Sequence, residues 1–255
     1  MSERPQAVRG SVVIAALSAA LLACPAAAVD GEILINQASV NAGGITPGDA
    51  AGFPATLSRP GRYKLSGNLR VPAGWGIEVS ANDVIIDLNG FTISATGTDA
   101  TVGVRATTGV DRTRVMNGTI TGFSVYGILG LGINFVVQDM RVIGNSTAMQ
   151  LGTEGQVRNS TVANNTSIGI RCYRCLIEGN IITGNVNGVF DSDAGGGVLL
   201  GNVIVGNTGY GIVAPDPPLP KTGYGNNILL GNNGGGLQAL GTMQLHPNVC
   251  DPACP

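Results

Sequence analysis

From residue 63 onward the apolar positions come in short bursts, separated by Gly and Asn, rather than in long 3.6-residue stripes. Two ladders organise these bursts. The first is a small residue followed by an aliphatic one: Gly76-Ile77, Gly103-Val104, Gly127-Ile128, Ala148-Met149, Gly169-Ile170, Gly188-Val189, Gly211-Ile212 and Gly236-Leu237. Its successive spacings are 27, 24, 21, 21, 19, 23 and 25 residues. The second is an aliphatic burst closed by Asn, at Asn145, Asn165, Asn185, Asn207 and Asn232, with spacings of 20, 20, 22 and 25. The two ladders stay in phase, which marks a repeat architecture.

A period of 20-odd residues is too short for helical repeats, and the leucine-dense consensus of leucine-rich repeats is missing. Short strands such as Leu176 to Ile182 and Gly188 to Phe190 instead predict a parallel β-helix. One residue in two points inward, and coils stack about 4.8 Å apart. Corners between strands need positive φ, which Asn tolerates best after Gly. This places the five ladder asparagines at the corners, where stacked amides hydrogen-bond along the axis. Asn180, Asn202 and Asn227 form a second, partial ladder. The pattern predicts an all-β solenoid of about eight coils over residues 63–240. Caps are expected at 29–62 and 241–255, and a loop at the proline-rich stretch from Pro215 to Lys221.

The first residues carry a different signal. Arg4 and Arg9 precede an apolar run from Ser11 to Ala23, and Ala26-Ala27-Ala28 follows Pro25. This reads as a signal peptide over residues 1–28, and so as export to the periplasm, the cell surface or the medium. The run is too short for a transmembrane span. Cys24 also resembles a lipid-attachment site, which Pro25 disfavours. Loss of Glu3, Arg4 and Arg9 makes the net charge one unit more negative than the −2 of the full chain. Only Lys64 and Lys221 are lysines, and the arginines are scattered, so nucleic acid is not an expected partner.

Four cysteines then remain: Cys172, Cys175, Cys250 and Cys254. In an exported chain an even count favours disulfides. The first pair lies about three coils or more from the second, beyond the roughly 7 Å that a bridge allows. The expected bridges are Cys172–Cys175 and Cys250–Cys254. A redox pair at Cys172-Tyr173-Arg174-Cys175, or a zinc site, is the competing reading.

The segment Gly179-Asn180-Ile181-Ile182-Thr183-Gly184-Asn185, followed by Gly188-Val189, resembles the right-handed parallel β-helix repeat of the pectate-lyase-like superfamily. The resemblance covers about residues 63–240 and supplies the handedness. It implies a carbohydrate-related role without fixing one, because the superfamily includes lyases, hydrolases, epimerases, adhesins and proteins of unknown role.

Enzymes of this fold work on an outward strand face. The outward column beside the glycine ladder reads Glu78, Arg105, Leu129, Gln150, Arg171, Phe190, Val213 and Gln238. It holds no carboxylate pair of the kind that glycoside hydrolysis requires. Asp191 and Asp193, with Arg171 and Arg174 one coil earlier, are the candidate catalytic residues. They resemble the relatives' arrangement of a basic residue beside acidic calcium ligands, and only in that reading is a cofactor, calcium, expected. The relatives' Asn-Thr-Asp, Asp-Asp, Gly-His-Gly, Arg-Ile-Lys and Asp-Pro-His-Asp motifs are missing. The sequence therefore favours a non-catalytic structural or glycan-binding module, with polysaccharide as the expected partner. A polysaccharide lyase is the alternative.

Overall fold

Nine parallel strands stack along one face of the computed structural model, which describes residues 31–192, 196–214, 221–251 and 254. This face, face I, runs from Ala55–Leu57 through Gly74–Val79, Ala100–Ala106, Tyr126–Gly130, Thr147–Thr153, Ile168–Tyr173, Asn187–Asp191 and Ile212–Val213 to Ala239–Leu240. Faces II and III form a second, L-shaped sheet. They are continuous where Arg114–Thr121 and Val136–Ile143 run through the corner without a break. In later coils the same path is split in two, as in Leu176–Glu178 and Ile181–Thr183. The chain is a right-handed parallel β-helix, with side chains from all three faces forming one continuous apolar core.

The expected cap segments contribute strands of their own. Glu32–Ile35 pairs with Gly61–Leu65, and Ala55–Leu57 opens face I. Thr242–Gln244 and Val249–Asp251 add a last coil to faces II and III. These rungs escape the repeat signature because Pro54 and Gln238 stand where the other coils have Gly or Ala. A short helix, Gln37–Ala42, closes the N-terminal end, its first turn held by reciprocal bonds between Asn36 and Ser39. Val40 of that helix is buried, and Gln37 accepts a hydrogen bond from the Arg70 amide at 2.8 Å. That bond occupies one donor of the first strand of face III, whose edge would otherwise be open. The expected signal segment lies outside the described residues, as does most of the expected proline-rich loop. No helix among the described residues is long and apolar enough to cross a membrane.

Gly recurs on face I because coils approach too closely there for a side chain. A Cβ on Gly103 would lie 2.6 Å from the Gly127 carbonyl oxygen, and one on Gly188 would lie 2.5 Å from that of Gly211. The last coil departs from the sequence reading. Ala239, not Leu237, is the register partner of Ile212, and Leu237 is exposed.

The ladder asparagines also differ from expectation. Positive φ falls on the residue before each of them, at Gly144, Asn164, Gly184, Gly206 and Gly231. The ladder asparagines themselves point inward and are buried. The Asn185 carboxamide oxygen accepts the Asn165 backbone amide at 3.1 Å and its side-chain amide at 2.8 Å. The Asn185 side-chain amide donates to the carbonyls of Val162 and Thr183 and to Asn207. The stack begins at the Phe123 amide and ends on the Gln238 carboxamide. A second stack at the corner between faces II and III runs through Ser160, Asn180, Asn202, Asn227 and Asn248.

A buried amide left without its partner costs about 1–3 kcal/mol. Asn185→Ala strands the Asn165 amide and removes the bonds to two further carbonyls. It is therefore expected to destabilise the chain by about 2–4 kcal/mol in urea denaturation. Exposed Thr166→Ala should stay within about 0.5 kcal/mol. Equal effects would remove the ladder as the main polar support of the coils.

Candidate functional site

The outer side of face I carries the most varied chemistry. Strand alternation and the parallel register align Thr56, Glu78, Arg105, Leu129, Gln150, Arg171, Phe190, Val213 and Leu240 in one column. Gln238, expected in this column, turns inward instead and closes the asparagine stack. A neighbouring column holds Trp75, Val102, Tyr126 and Thr147. Side chains on this face lie along the axis and cover one another. The Arg105 guanidinium sits 3.8 Å from the centre of the Trp75 ring, and that of Arg171 sits 5.6 Å from the centre of the Phe190 ring. Both are within the distance at which a cation is drawn to a ring face. Gln150 and Arg171 are register partners, and each has a buried polar atom, Oε1 and Nε, without a hydrogen-bond partner.

Of the four residues singled out from sequence, Arg171 alone stands in this column. Phe190 is its register partner, so Asp191, one residue on, must face the opposite side of the sheet. Asp191 is 1% exposed and points into the core. Its carboxylate accepts the backbone amides of Arg174 at 3.1 Å and Gly197 at 3.0 Å, and the Thr222 hydroxyl. The reason lies in the corner. Arg112, Asn134 and Glu154 precede Arg174 in this position, and each donates its amide to a backbone carbonyl of the following coil. For Arg174 the Asp191 carboxylate takes the place of that carbonyl. Arg174 is exposed at the corner with φ 56°, away from face I. Asp193 lies outside the described residues. The structure thus separates Arg171 from Asp191 by the thickness of the sheet. Among the described residues, no three His, Cys, Asp or Glu side chains cluster in a way that could hold a metal ion.

The sequence did not foretell the stacking of Arg105 on Trp75. Trp75 precedes ladder residue Gly76, and Arg105 follows ladder residue Val104, so the two stand in adjacent columns. Their order along the chain was visible; the rotamer that lays one over the other was not.

The Cα atoms of Cys250 and Cys254 lie 5.5 Å apart, within the span of a disulfide. Cys172 and Cys175 are free thiols, both buried. They flank the corner at Arg174, but the Cys175 sulfur turns toward the preceding coil. It lies 3.7 Å from the Gly152 carbonyl and 3.1 Å from where a Cβ on Gly155 would stand. Burial pushes the Cys172 thiol well above its ordinary pKa, with Cys175 and Asp191 adding to the effect. Burial also raises Tyr63 and Tyr224.

The structure shares its fold with solved proteins of little sequence similarity. The pectate lyase Pel9A superimposes with a TM-score of 0.55 at 11% identity, covering 78% of this chain. The fold is pectate-lyase-like. This chain spans 64% of that lyase's length. The Dettilon tailspike protein (gp208) matches 69% of this chain and 46% of its own at 14% identity, with a TM-score of 0.48. ORF18 of Geobacillus virus E2 matches 68% and 34% at 16% identity, with a TM-score of 0.32. No protein-family model matches the chain, and no curated protein does.

Two measurements follow from the thiols. Alkylation in denaturant without reductant should label Cys172 and Cys175 and spare Cys250 and Cys254. Absence of label on the first pair would establish the bridge expected from sequence. The alkaline stability limit is the second. Cys172, Tyr63 and Tyr224 stay protonated in the fold at pH values where their unfolded counterparts ionise. Their contribution is full below the unfolded values and declines above them, so the melting temperature should fall above about pH 9. Cys172→Ala should flatten that decline; an unchanged slope would exclude the thiol as its source.

Proposed function

We propose that the chain is an exported, non-catalytic β-helix module that binds a polysaccharide along face I. The supporting observation is the outward column itself. With the neighbouring column it offers the rings of Trp75, Tyr126 and Phe190 and the guanidinium groups of Arg105 and Arg171, on rungs about 4.8 Å apart along the axis, an arrangement suited to an extended ligand. The rings offer apolar surface to the C–H faces of sugars. The guanidinium groups of Arg105 and Arg171 and the carboxamide of Gln150 stand on the same outer side, for hydroxyls and carboxylates. Glu78 is the single acid in the column, so the carboxylate pair of the usual hydrolytic mechanism has no counterpart there.

The alternative is a polysaccharide lyase with Arg171 as its base. The position of Arg171 on face I favours it, together with the likeness of fold to a pectate lyase. The inward turn of Asp191 opposes it, because it removes an acid that a calcium ion beside Arg171 would need.

The decisive experiment is affinity electrophoresis in gels containing pectin, alginate, hyaluronan or a neutral glycan. It is run alongside an assay for unsaturated products, with and without calcium. Retardation on at least one polysaccharide is expected, without turnover. Phe190→Ala and Arg171→Ala should each weaken it about tenfold, the size of one lost stacking or charged contact. Turnover that vanishes in Arg171→Ala would establish the lyase instead. Retardation on none of the four would leave face I a structural surface.

A further inference from the structure

A concave feature lies on face II, one corner away from the column just described. It is a cleft of about 310 Å³ lined by Asp83, Ile85, Arg112, Thr113, Arg114, Asn134 and Val136. Coils two to four build it. Ile85, Arg114 and Val136 are register partners on the outer side of face II. Asp83, Arg112 and Asn134 stack at the adjoining corner, each at positive φ. The volume is at the lower end of the roughly 300–1,000 Å³ typical of small-molecule sites. It suits one ligand unit rather than a chain.

The polar groups around the cleft divide into two kinds. Asp83 and Arg112 are committed to each other, Nε to Oδ1 at 2.6 Å and Nη2 to Oδ2 at 2.9 Å. Both are about half exposed, so the pair adds little to stability. What it fixes is direction: a two-point contact sets the plane of the guanidinium and keeps the Asp83 carboxyl ionised. Each carboxylate oxygen retains capacity to accept a second bond. Arg114 and the Asn134 carboxamide are uncommitted, with no side-chain partner among the described residues. With Arg112 paired to Asp83, the charge of Arg114 is left over, with Ile85 and Val136 one coil to either side of it.

We propose that this cleft binds a single hydroxylated ring bearing one anionic group, an acidic or sulfated sugar unit. The aliphatic side chains of Ile85 and Val136, on either side of Arg114, offer apolar surface to the C–H groups of the ring. Arg114 and Asn134 donate to the anion, and Asp83 accepts from a ring hydroxyl. Each group excludes a simpler ligand. A bare sulfate or phosphate has no apolar face for Ile85 and Val136. A neutral sugar leaves Arg114 uncompensated. The site shares no residue with face I, so it stands or falls separately from the reading above.

Ligand-observed saturation-transfer NMR on the whole protein tests it, with methyl glucuronide, glucose 6-sulfate and methyl glucoside as probes. Binding of one or both anionic probes is expected, at least about tenfold tighter than of the neutral glucoside. A response from only one of them tells carboxylate from sulfate ester. Arg114→Gln should weaken that binding about tenfold and leave the melting temperature unchanged, because the side chain is exposed. Arg114→Lys should recover part of it. Arg70→Gln, an exposed arginine on face III, should have no effect. The proposal is overturned by no response to either anionic probe, by equal response to the neutral glucoside, or by binding that survives Arg114→Gln. A loss caused by Arg70→Gln would move the ligand off the cleft, and overturn it too.

Discussion

Each coil turns three corners around an apolar core, and at the corner between faces III and I the strand-to-strand hydrogen bonding is interrupted. The amides and carbonyls stranded there cannot reach water. An unpaired backbone group in such a place costs as much as a lost hydrogen bond, and the chain meets the problem once per coil. The asparagine carboxamide solves it with one side chain. Its oxygen accepts the backbone and side-chain amides of the asparagine one coil earlier, and its nitrogen donates to stranded carbonyls. Because the rungs bond to one another, each fixes the height and register of the next. The outward columns inherit that register. Arg171 stands over Phe190 and beside Gln150 because Asn165, Asn185 and Asn207 hold their coils in step.

The same constraint explains which parts of the fold were legible in the sequence. The repeat was visible because the constraint recurs with one residue type, at Asn145, Asn165, Asn185, Asn207 and Asn232. It was invisible where another side chain meets the same need. Ser160 begins the second stack with a hydroxyl, Gln238 ends the first with a longer amide, and Asp191 replaces a missing carbonyl with a carboxylate. None of these fits a ladder of identical residues. Two of them, Gln238 and Asp191, looked like outward-facing chemistry for that reason. The position of positive φ was misplaced by one residue on similar grounds. Gly and Asn both mark corners, but Gly144 and Gly184 bend the backbone while Asn145 and Asn185 fill the space behind the bend.

Candidate chemistry was legible only in part, because a solenoid brings together residues that the sequence keeps 20 to 30 positions apart. Asp83 and Arg112 lie 29 residues apart and meet at 2.6 Å. The triplet Arg112-Thr113-Arg114 was present to be read, yet nothing local shows that one arginine stands at a corner beside an aspartate while the other stands free on the strand. That division depends on coil length. The coil holding Asp83 and the one holding Arg112 must stack corner on corner, and the spacings of the glycine ladder vary too widely to place a corner to the nearest residue. The outward column of face I was easier. It lies directly beside the ladder, and seven of its eight expected members stand where the periodicity put them.

The buried carboxylate of Asp191 bears most directly on what the fold is used for. An acid that serves a reaction on an outer face has to reach it, and strand alternation gives each residue of the strand one side or the other. Asp191 is committed inward by three hydrogen bonds, and removing any one would leave a buried charge short of a partner. Turning it outward would also strand the Arg174 amide and open the core beside two free thiols. The coil that comes nearest to a catalytic arrangement has therefore used its acid to hold a corner. Arg171 is left on the outer side of face I beside an aromatic neighbour, with the nearest carboxylate of its own strand pair on the far side of the sheet.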